Sequence, residues 1–219
     1  MSHFHQHAQV SEQTPETEGN VIHWASLYDA LFNAILKPSQ ASILALAQIK
    51  PGDSVLDVGC GSGRLTLAAQ KQVGAAGLAQ GIDPSPEMIA VAQTNAHKAA
   101  LPAQFQVGLV EAIPFPDASF EVVLCRLVLH HLPGDLKQRG LAEMRRVLKA
   151  GGTCLVVDFE PPRGAVGRHL VENLLSPVML QVDVRSYAPL LAGAGFSGVE
   201  CGATSSKLLS FVRGKAPAA

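Results

Sequence analysis

After about residue 50, short apolar runs alternate with stretches in which apolar residues recur every three or four positions. The short runs predict strands, and the helical spacing predicts helices between them. We place strands at 54–58, 78–83, 104–109, 120–126 and 153–159, with helices near 63–73, 85–99 and 135–149. This order predicts an α/β fold in which a doubly wound, mostly parallel sheet is covered by helices on both faces.

The two ends of the chain depart from this alternation. Residues 21–37 have one apolar face at helical spacing, and Ser39 is expected to cap a second helix. Towards the C-terminus, one helix is followed by two strand-like runs with no helix between them, which predicts a closing antiparallel hairpin and a seven-stranded sheet. Residues 1–20 hold no Lys or Arg and little apolar content, so we predict a disordered tail followed by a single domain over 21–219.

Composition narrows the class of protein. The 17 basic and 18 acidic residues leave a formal charge of −1 without a basic block, which argues against nucleic acid as a partner. There is no secretory signal pattern and no apolar run near the ~20 residues of a membrane span, so we expect a cytoplasmic protein without membrane insertion. The four cysteines are scattered, and three of them lie in apolar, strand-like runs, which favours small buried thiols over a disulfide, a metal ligand or a nucleophile; no metal site is predicted.

The glycine-rich segment "VLDVGCGSGRL" follows the first predicted strand. Gly59, Gly61 and Gly63 are spaced two apart after Asp57, at the turn where an open parallel sheet meets its ligands. Arg64 stands where the dinucleotide fingerprint requires another glycine, and no Gly-Lys-Ser/Thr sequence of a P-loop follows. The spacing therefore suits a cofactor without phosphates, whose amino-acid end lies against bare backbone.

A second carboxylate indicates a nucleoside. Asp83 ends the second predicted strand in "GIDPSPEMIA", where it can accept hydrogen bonds from both ribose hydroxyls. Ser85 and Pro86 then fit the N-cap and the first turn of the following helix. The alternative is that Asp83 only marks the entry to this helix.

Four segments together resemble the successive motifs of class I S-adenosylmethionine-dependent methyltransferases. They are "VLDVGCGSGRL", "GIDPSPEMIAVAQ", "IPFPDASFEVVLCRLVLHHLP" and "EMRRVLKAGGTCLVVD". The sequence is most similar to the branch that contains the ubiquinone/menaquinone biosynthesis C-methyltransferases, from about residue 21 to the end. The resemblance implies a Rossmann-like fold and S-adenosyl-L-methionine as the cofactor.

The resemblance also implies a set of cofactor contacts at the ends of the first three strands. Leu109 replaces an aspartate that is usual in the family, so adenine recognition is expected to use backbone groups of residues 109–111 or the Glu111 side chain. The implied contacts are Asp57, Gly59, Gly61 and Gly63 at the methionine end, Asp83 and Pro84 at the ribose, Met88 on the adenine, and Leu109, Val110 and Glu111 at the adenine amine.

Three further side chains are candidates near the transferred methyl group. Arg126 ends the fourth strand and is expected to meet a cofactor carboxylate or an anionic substrate, or else to form a structural pair with Asp57 or Glu121. His130, the first of two adjacent histidines, is a candidate general base, with structural packing as the alternative. Tyr28 is a second candidate for deprotonating the acceptor.

These features predict an enzyme that transfers a methyl group to a small-molecule acceptor. The segments 21–49 and 160–185 are expected to build the acceptor pocket, with 21–37 as a lid, and their apolar residues favour an apolar or amphipathic acceptor such as a prenylated quinone. The carbon, oxygen or nitrogen nature of the acceptor stays open, and a homodimer is allowed. The alternatives are a nicotinamide-dependent oxidoreductase and a non-catalytic protein that binds S-adenosylmethionine for regulation.

Overall fold

The structure is a computed structural model that describes residues 39–162, 164–165, 168–169, 171 and 177–218. The predicted tail 1–20, the predicted lid helix 21–37 and the candidate Tyr28 lie outside these residues. The same holds for part of the predicted cap segment 160–185.

The described residues form a seven-stranded sheet, as predicted. Strand order is β3-β2-β1-β4-β5-β7-β6, and β7 is antiparallel to both of its neighbours. The parallel pairs bring the carboxyl ends of β1, β2, β3, β4 and β5 to one edge of the sheet. The strands are β1 (Ser54–Val58), β2 (Leu78–Asp83), β3 (Gln104–Val107), β4 (Phe120–Arg126), β5 (Leu148–Phe159), β6 (Ser197–Ala203) and β7 (Leu209–Lys215).

Helices connect the strands along both faces. The α-helices are α1 (Gln40–Ala47), α2 (Arg64–Val73), α3 (Pro86–Ala99), α4 (Gly134–Val147) and α5 (Tyr187–Gly193). Short 3₁₀ helices lie at Gly74–Ala76, Leu129–His131, Pro177–Gln181 and Val184–Ser186. The predicted crossover helices and the closing β6–β7 hairpin are confirmed.

Several boundaries differ from the prediction. The fifth strand begins at Leu148 rather than 153, because Leu148 pairs with Phe120 before the register shifts. The third strand ends at Val107 rather than 109, since the chain turns there and Leu109 forms an isolated bridge with Ala112. The expected capping by Ser39 is wrong: it lies at the N-cap position of α1 in the αR conformation, and its side chain makes no capping hydrogen bond.

The core lies on both faces of the sheet. Successive residues of β1 point to opposite sides, so Val55 packs with α1 and α2, whereas Leu56 packs with α4 and α5. Both side chains are fully buried, which stabilises the fold by about 1.5–3 kcal/mol for each. This double packing fixes the strand ends, and with them the geometry of the loops that leave the carboxyl edge.

The cysteines are free thiols. Cys60, Cys125 and Cys154 are buried, as the sequence predicts, whereas Cys201 is exposed on the edge strand β6. Within the described ranges, no helix has the length and apolar character needed to cross a bilayer. The same ranges contain no cluster of three or more His, Cys, Asp or Glu side chains suited to a metal ion.

Candidate functional site

The glycine loop connects β1 to α2 at the carboxyl edge. Gly59, Gly61 and Gly63 have φ values of 69°, 53° and 77°, a region that favours glycine. The amides of Gly59 and Cys60 both donate to the carbonyl of Ile82, at 2.8 and 2.9 Å. The loop is therefore tied to β2, and its shape is fixed by backbone contacts.

The three glycines have different surroundings. A Cβ atom added at Gly59 would lie 2.2 Å from Cγ2 of Val128, and one added at Gly63 would lie 2.7 Å from the Phe105 ring. A Cβ atom added at Gly61 would meet nothing within 4 Å. Gly59 and Gly63 are thus required by packing, whereas Gly61 borders open space at the sheet edge.

Asp83 links the glycine loop to the next helix. One carboxylate oxygen accepts from the amide of Gly61 at 2.9 Å, and the other accepts from the amide of Ser85 at 3.0 Å. Burial raises the pKa of Asp83, and the two amide hydrogen bonds oppose that shift. A carboxylate has about four acceptor positions, so each oxygen can still accept from a ligand hydroxyl. Ser85 caps α3 by accepting from the amide of Met88, which confirms that prediction.

Asp57 is buried below the loop. Thr66 donates its hydroxyl to the carboxylate at 2.7 Å. Burial raises the pKa of Asp57 to about 6, while the Thr66 hydrogen bond and the positive charge of Arg126 act in the opposite direction. Glu121, the other expected partner of Arg126, binds Lys149 and accepts from a backbone amide of β1. The charge of Arg126 acts on Asp57.

The segment after β3 forms the next wall of the edge. Residues 109–111 lie in a turn, with Val110 buried against Gly140 of α4. Glu143 accepts from the amide of Ile113, and Arg146 donates to the carbonyl of Ile113 and to that of Phe115. Two charged side chains of α4 thus hold this turn, a role that sequence reasoning missed although both lie in the segment "EMRRVLKAGG".

The histidine pair follows β4 on the other side of the glycine loop. Leu127 adopts a φ of 59°, which is rare for a residue other than glycine and turns the chain sharply out of the sheet. The next residue, Val128, packs on Gly59, so His130 lies two residues from a direct contact with the glycine loop. His131 is half-buried, and its pKa is lowered to about 4 by burial and by the nearby His130.

His130 contacts a carboxylate that sequence reasoning did not find. Its Nδ1 atom lies 2.6 Å from Oδ1 of Asp158, near the end of β5, and its imidazole is 5% exposed. Tyr187, at the start of α5, donates its hydroxyl to Oδ2 of Asp158 at 3.1 Å. No local pattern could show this contact, since the three residues are brought together only by the fold.

A cavity of about 610 Å³ lies beside the end of β5, between the segment that follows it and the β6–β7 hairpin. Its volume is in the range that holds a small organic ligand. Pro161, Leu208 and Phe211 contribute apolar surface, and Arg185 and Lys207 contribute positive charge. The predicted cap segment therefore supplies part of this cavity, and the hairpin, which was not predicted to do so, supplies the remainder.

Comparison with known proteins matches part of the chain to one family. Residues 55–152, slightly less than half of the chain, match a family described as "Methyltransferase domain". The resemblance to class I S-adenosylmethionine-dependent methyltransferases is confirmed over these residues. The match favours methyl transfer over the nicotinamide alternative.

Curated relatives are about one-third identical to this chain over the residues that align. The uncharacterized methyltransferase YcgJ of Bacillus subtilis is 34% identical over 133 residues, which are 60% of this chain and 51% of YcgJ. A 2-phytyl-1,4-naphtoquinone methyltransferase of Synechocystis is 36% identical over 61% of this chain and 58% of its own length. A ubiquinone/menaquinone biosynthesis C-methyltransferase of Ralstonia pickettii is 36% identical over 53% of this chain and 47% of its own. The chain thus spans about half the length of the curated relatives it matches.

Solved structures share the fold at lower identity. A S-adenosylmethionine-dependent methyltransferase from Aquifex aeolicus superposes with a TM-score of 0.66 at 21% identity, over 84% of this chain and 97% of its own. The crystal structure of YcgJ superposes with a TM-score of 0.64 at 20% identity, over 84% of this chain and all of its own. These likenesses show that the chain has a Rossmann-like fold.

The residues present fit S-adenosylmethionine. The open space beyond Gly61 gives a ligand direct access to loop backbone, and the Asp83 carboxylate keeps acceptor positions for two ribose hydroxyls. The buried carboxylate of Asp57 provides negative charge below the loop for a cationic amino-acid end. The observed geometry is compatible with the contacts that the motifs imply.

Proposed function

We propose that this protein transfers a methyl group from S-adenosylmethionine to a small apolar or amphipathic acceptor. The observation that carries the proposal is the arrangement of Gly61 and Asp83. The amide of Gly61 donates a 2.9 Å hydrogen bond to the Asp83 carboxylate. Gly61 also borders open space, whereas Gly59 and Gly63 are packed against side chains. This arrangement suits a nucleoside whose amino-acid end crosses the loop.

The residues that would hold the cofactor fall into three groups. Asp83 and Pro84 would lie at the ribose, Met88 and residues 109–111 at the adenine, and Asp57 with the glycine loop at the methionine end. Arg126, close enough to Asp57 to affect its pKa, would stand beside the reactive end. When bound, the cofactor supplies a methyl group on a sulfonium that needs no covalent help from the protein. The protein then acts mainly by holding the acceptor in line.

The cavity beside β5 supports an amphipathic acceptor. It is lined by the segment that follows β5, by Val184 and Arg185, and by the β6–β7 hairpin. Apolar surface from Leu208 and Phe211 suits the body of such a molecule, and Arg185 and Lys207 suit a polar or anionic substituent. Glu160 also lines the cavity and lowers its net positive charge.

His130 is proposed as the general base when the acceptor must lose a proton. The segment that carries it packs on the glycine loop through Val128, which supports a position near the transferred group. Tyr28 stays a second candidate for the same role. An acceptor that is already ionised would require neither residue.

Binding and transfer can be tested separately. Isothermal titration with S-adenosylmethionine, S-adenosylhomocysteine and NADH should give micromolar affinity for the first two ligands and no binding of NADH. Transfer from methyl-labelled S-adenosylmethionine should then be measured with reduced 2-phytyl-1,4-naphthoquinone, simple phenols and arsenite, the last because an arsenite methyltransferase is among the relatives.

The outcomes distinguish the alternatives. Binding with transfer to at least one acceptor supports the enzyme, and binding without transfer to a broad set of acceptors supports the regulatory alternative. Asp83→Ala should bind the cofactor at least tenfold more weakly and should lower transfer at subsaturating cofactor by a similar factor. Asp135→Asn, which changes an exposed carboxylate on α4, is the matched control and should lose neither.

A further inference from the structure

We propose that Asp158 and Tyr187 are positioning residues that hold His130 in a single tautomer, with the proton on Nδ1 and a free lone pair on Nε2. The inference rests on the proposed function for the role of His130 as a base. The tautomer itself can be tested without any acceptor or cofactor.

The Asp158 carboxylate is saturated with donors. Oδ1 accepts from the amide of Phe159 at 2.8 Å and faces Nδ1 of His130 at 2.6 Å. Oδ2 accepts from the amide of His130 at 3.2 Å and from the Tyr187 hydroxyl at 3.1 Å. These four contacts use all of the acceptor positions of an ionised carboxylate.

This saturation determines which ring nitrogen of His130 carries the proton. An unprotonated Nδ1 would place two lone pairs 2.6 Å apart, a repulsive contact, so Nδ1 must donate to Oδ1. A neutral imidazole has one N–H, and Nε2 is therefore the acceptor. The hydrogen bond between the same carboxylate and the His130 amide fixes the backbone as well, so both the ring and the turn that carries it are held by one side chain.

Tyr187, at the start of α5, holds the Asp158 carboxylate through its hydroxyl. Its ring is buried in the core between the sheet, α4 and α5, and burial followed by the charge of Asp158 raises the pKa of its hydroxyl far above the ordinary value. The hydroxyl therefore stays protonated and can only donate its proton to Oδ2. Lys137 of α4 lies over the ring, with Nζ 5.7 Å from the ring centroid.

The Asp158 carboxylate can be buried at low cost only because all of its acceptor positions are paired. Asp158 is 0% exposed, and an unpaired carboxylate at such a place would cost several kcal/mol. Val156, two residues earlier on the same face of β5, is an apolar core residue. An apolar side chain would therefore suit the packing at position 158 as well. With its proton on Nδ1, His130 can take a proton on Nε2 from the substrate atom that will receive the methyl group. That atom keeps the electron pair of the broken bond to hydrogen. The imidazolium then formed is paired with Asp158, and its proton leaves to solvent.

The tautomer is measured directly by two-bond ¹⁵N–¹H correlation spectra of protein with labelled histidine, at pH 8. The His130 signal, assigned by its loss in His130→Asn, should show the proton on Nδ1. In Asp158→Asn the signal should change to the Nε2–H form or to an average of the two, because the amide can donate to Nδ1. The control Asp135→Asn should leave the spectrum unchanged. A wild-type His130 with its proton on Nε2 overturns the proposal, whether or not the variants fold.

Turnover and cofactor affinity provide the second readout. With the acceptor found among the compounds above, Asp158→Asn should lower kcat by about 10²–10⁴-fold, with an S-adenosylhomocysteine Kd within twofold of wild type. Tyr187→Phe, which removes one of the four donors, should cause a smaller loss of kcat. A kcat within threefold of wild type in Asp158→Asn contradicts the positioning role. If wild type binds the cofactor but methylates nothing, the proposed function fails, and the tautomer still decides this inference.

Discussion

Two glycines of the same loop should respond in opposite ways to the same substitution. Gly59→Ala places a methyl group 2.2 Å from Cγ2 of Val128, which is inside any tolerated contact. Gly61→Ala places the methyl group where no atom lies within 4 Å. We expect the first change to act on stability and the second on cofactor binding.

The magnitudes follow from the two geometries. Both residues have positive φ, so alanine costs about 1–2 kcal/mol at either position. Gly59→Ala adds overpacking of about 1–3 kcal/mol, for a total near 2–5 kcal/mol. In a protein of this size 1 kcal/mol lowers Tm by roughly 2–4 °C. The expected loss of Tm is therefore about 2–8 °C for Gly61→Ala and about 4–20 °C for Gly59→Ala.

Thermal unfolding and calorimetric titration with S-adenosylhomocysteine measure both effects. Gly61→Ala should bind at least tenfold more weakly, a change of about 1.4 kcal/mol. Adding Val128→Ala to Gly59→Ala should recover the overpacking term, since the remaining Cβ of residue 128 would lie 3.4 Å away. Unchanged binding by Gly61→Ala would show that the open space beyond Gly61 is not the cofactor site. Equal stability of the two single variants would refute the packing requirement at Gly59.

Three other changes test the surrounding groups. Asp83→Ala should weaken S-adenosylmethionine at least tenfold by calorimetry, because each charged hydrogen bond is worth about 1.5–3 kcal/mol; unchanged affinity would refute the ribose contact. The pKa of Asp57 rises from 3.8 to about 6 on folding, so the folded state binds this proton more tightly. The stabilisation from protonated Asp57 is thus fully present below pH 4. The free energy of unfolding should fall by up to about 3 kcal/mol as the pH rises from 4 through 6. Chemical denaturation should show that slope in wild type and not in Asp57→Asn, and cofactor affinity should rise over the same pH range. Arg146→Met should lower stability by about 1.5–3 kcal/mol in the same denaturation assay, since it removes charged hydrogen bonds to two loop carbonyls; a neutral effect would mean that the loop after β3 holds its shape without α4.

The sequence by itself determined the succession of strands and helices along the chain and the position of the glycine loop that we propose for the cofactor. Both depend on local patterns: the period of apolar residues, and glycines and an aspartate at fixed spacing after a strand. Local pattern missed the boundary of β5, because pairing extends that strand back to Leu148, past the turn signal of Gly151 and Gly152. A local sequence pattern carries no information on which strand pairs with which, so it cannot predict this extension of β5.

The tertiary structure alone decided how residues far apart in the chain act together. It showed that Gly59 is required by Val128 and that only Gly61 borders open space, although the sequence gives the two glycines the same spacing. It also brought Asp158 to the nitrogen of His130, 28 residues earlier, through the pairing of β4 with β5. Contacts of this kind depend on strand register and helix packing, which depend on the whole core, so no segment of the sequence contains them.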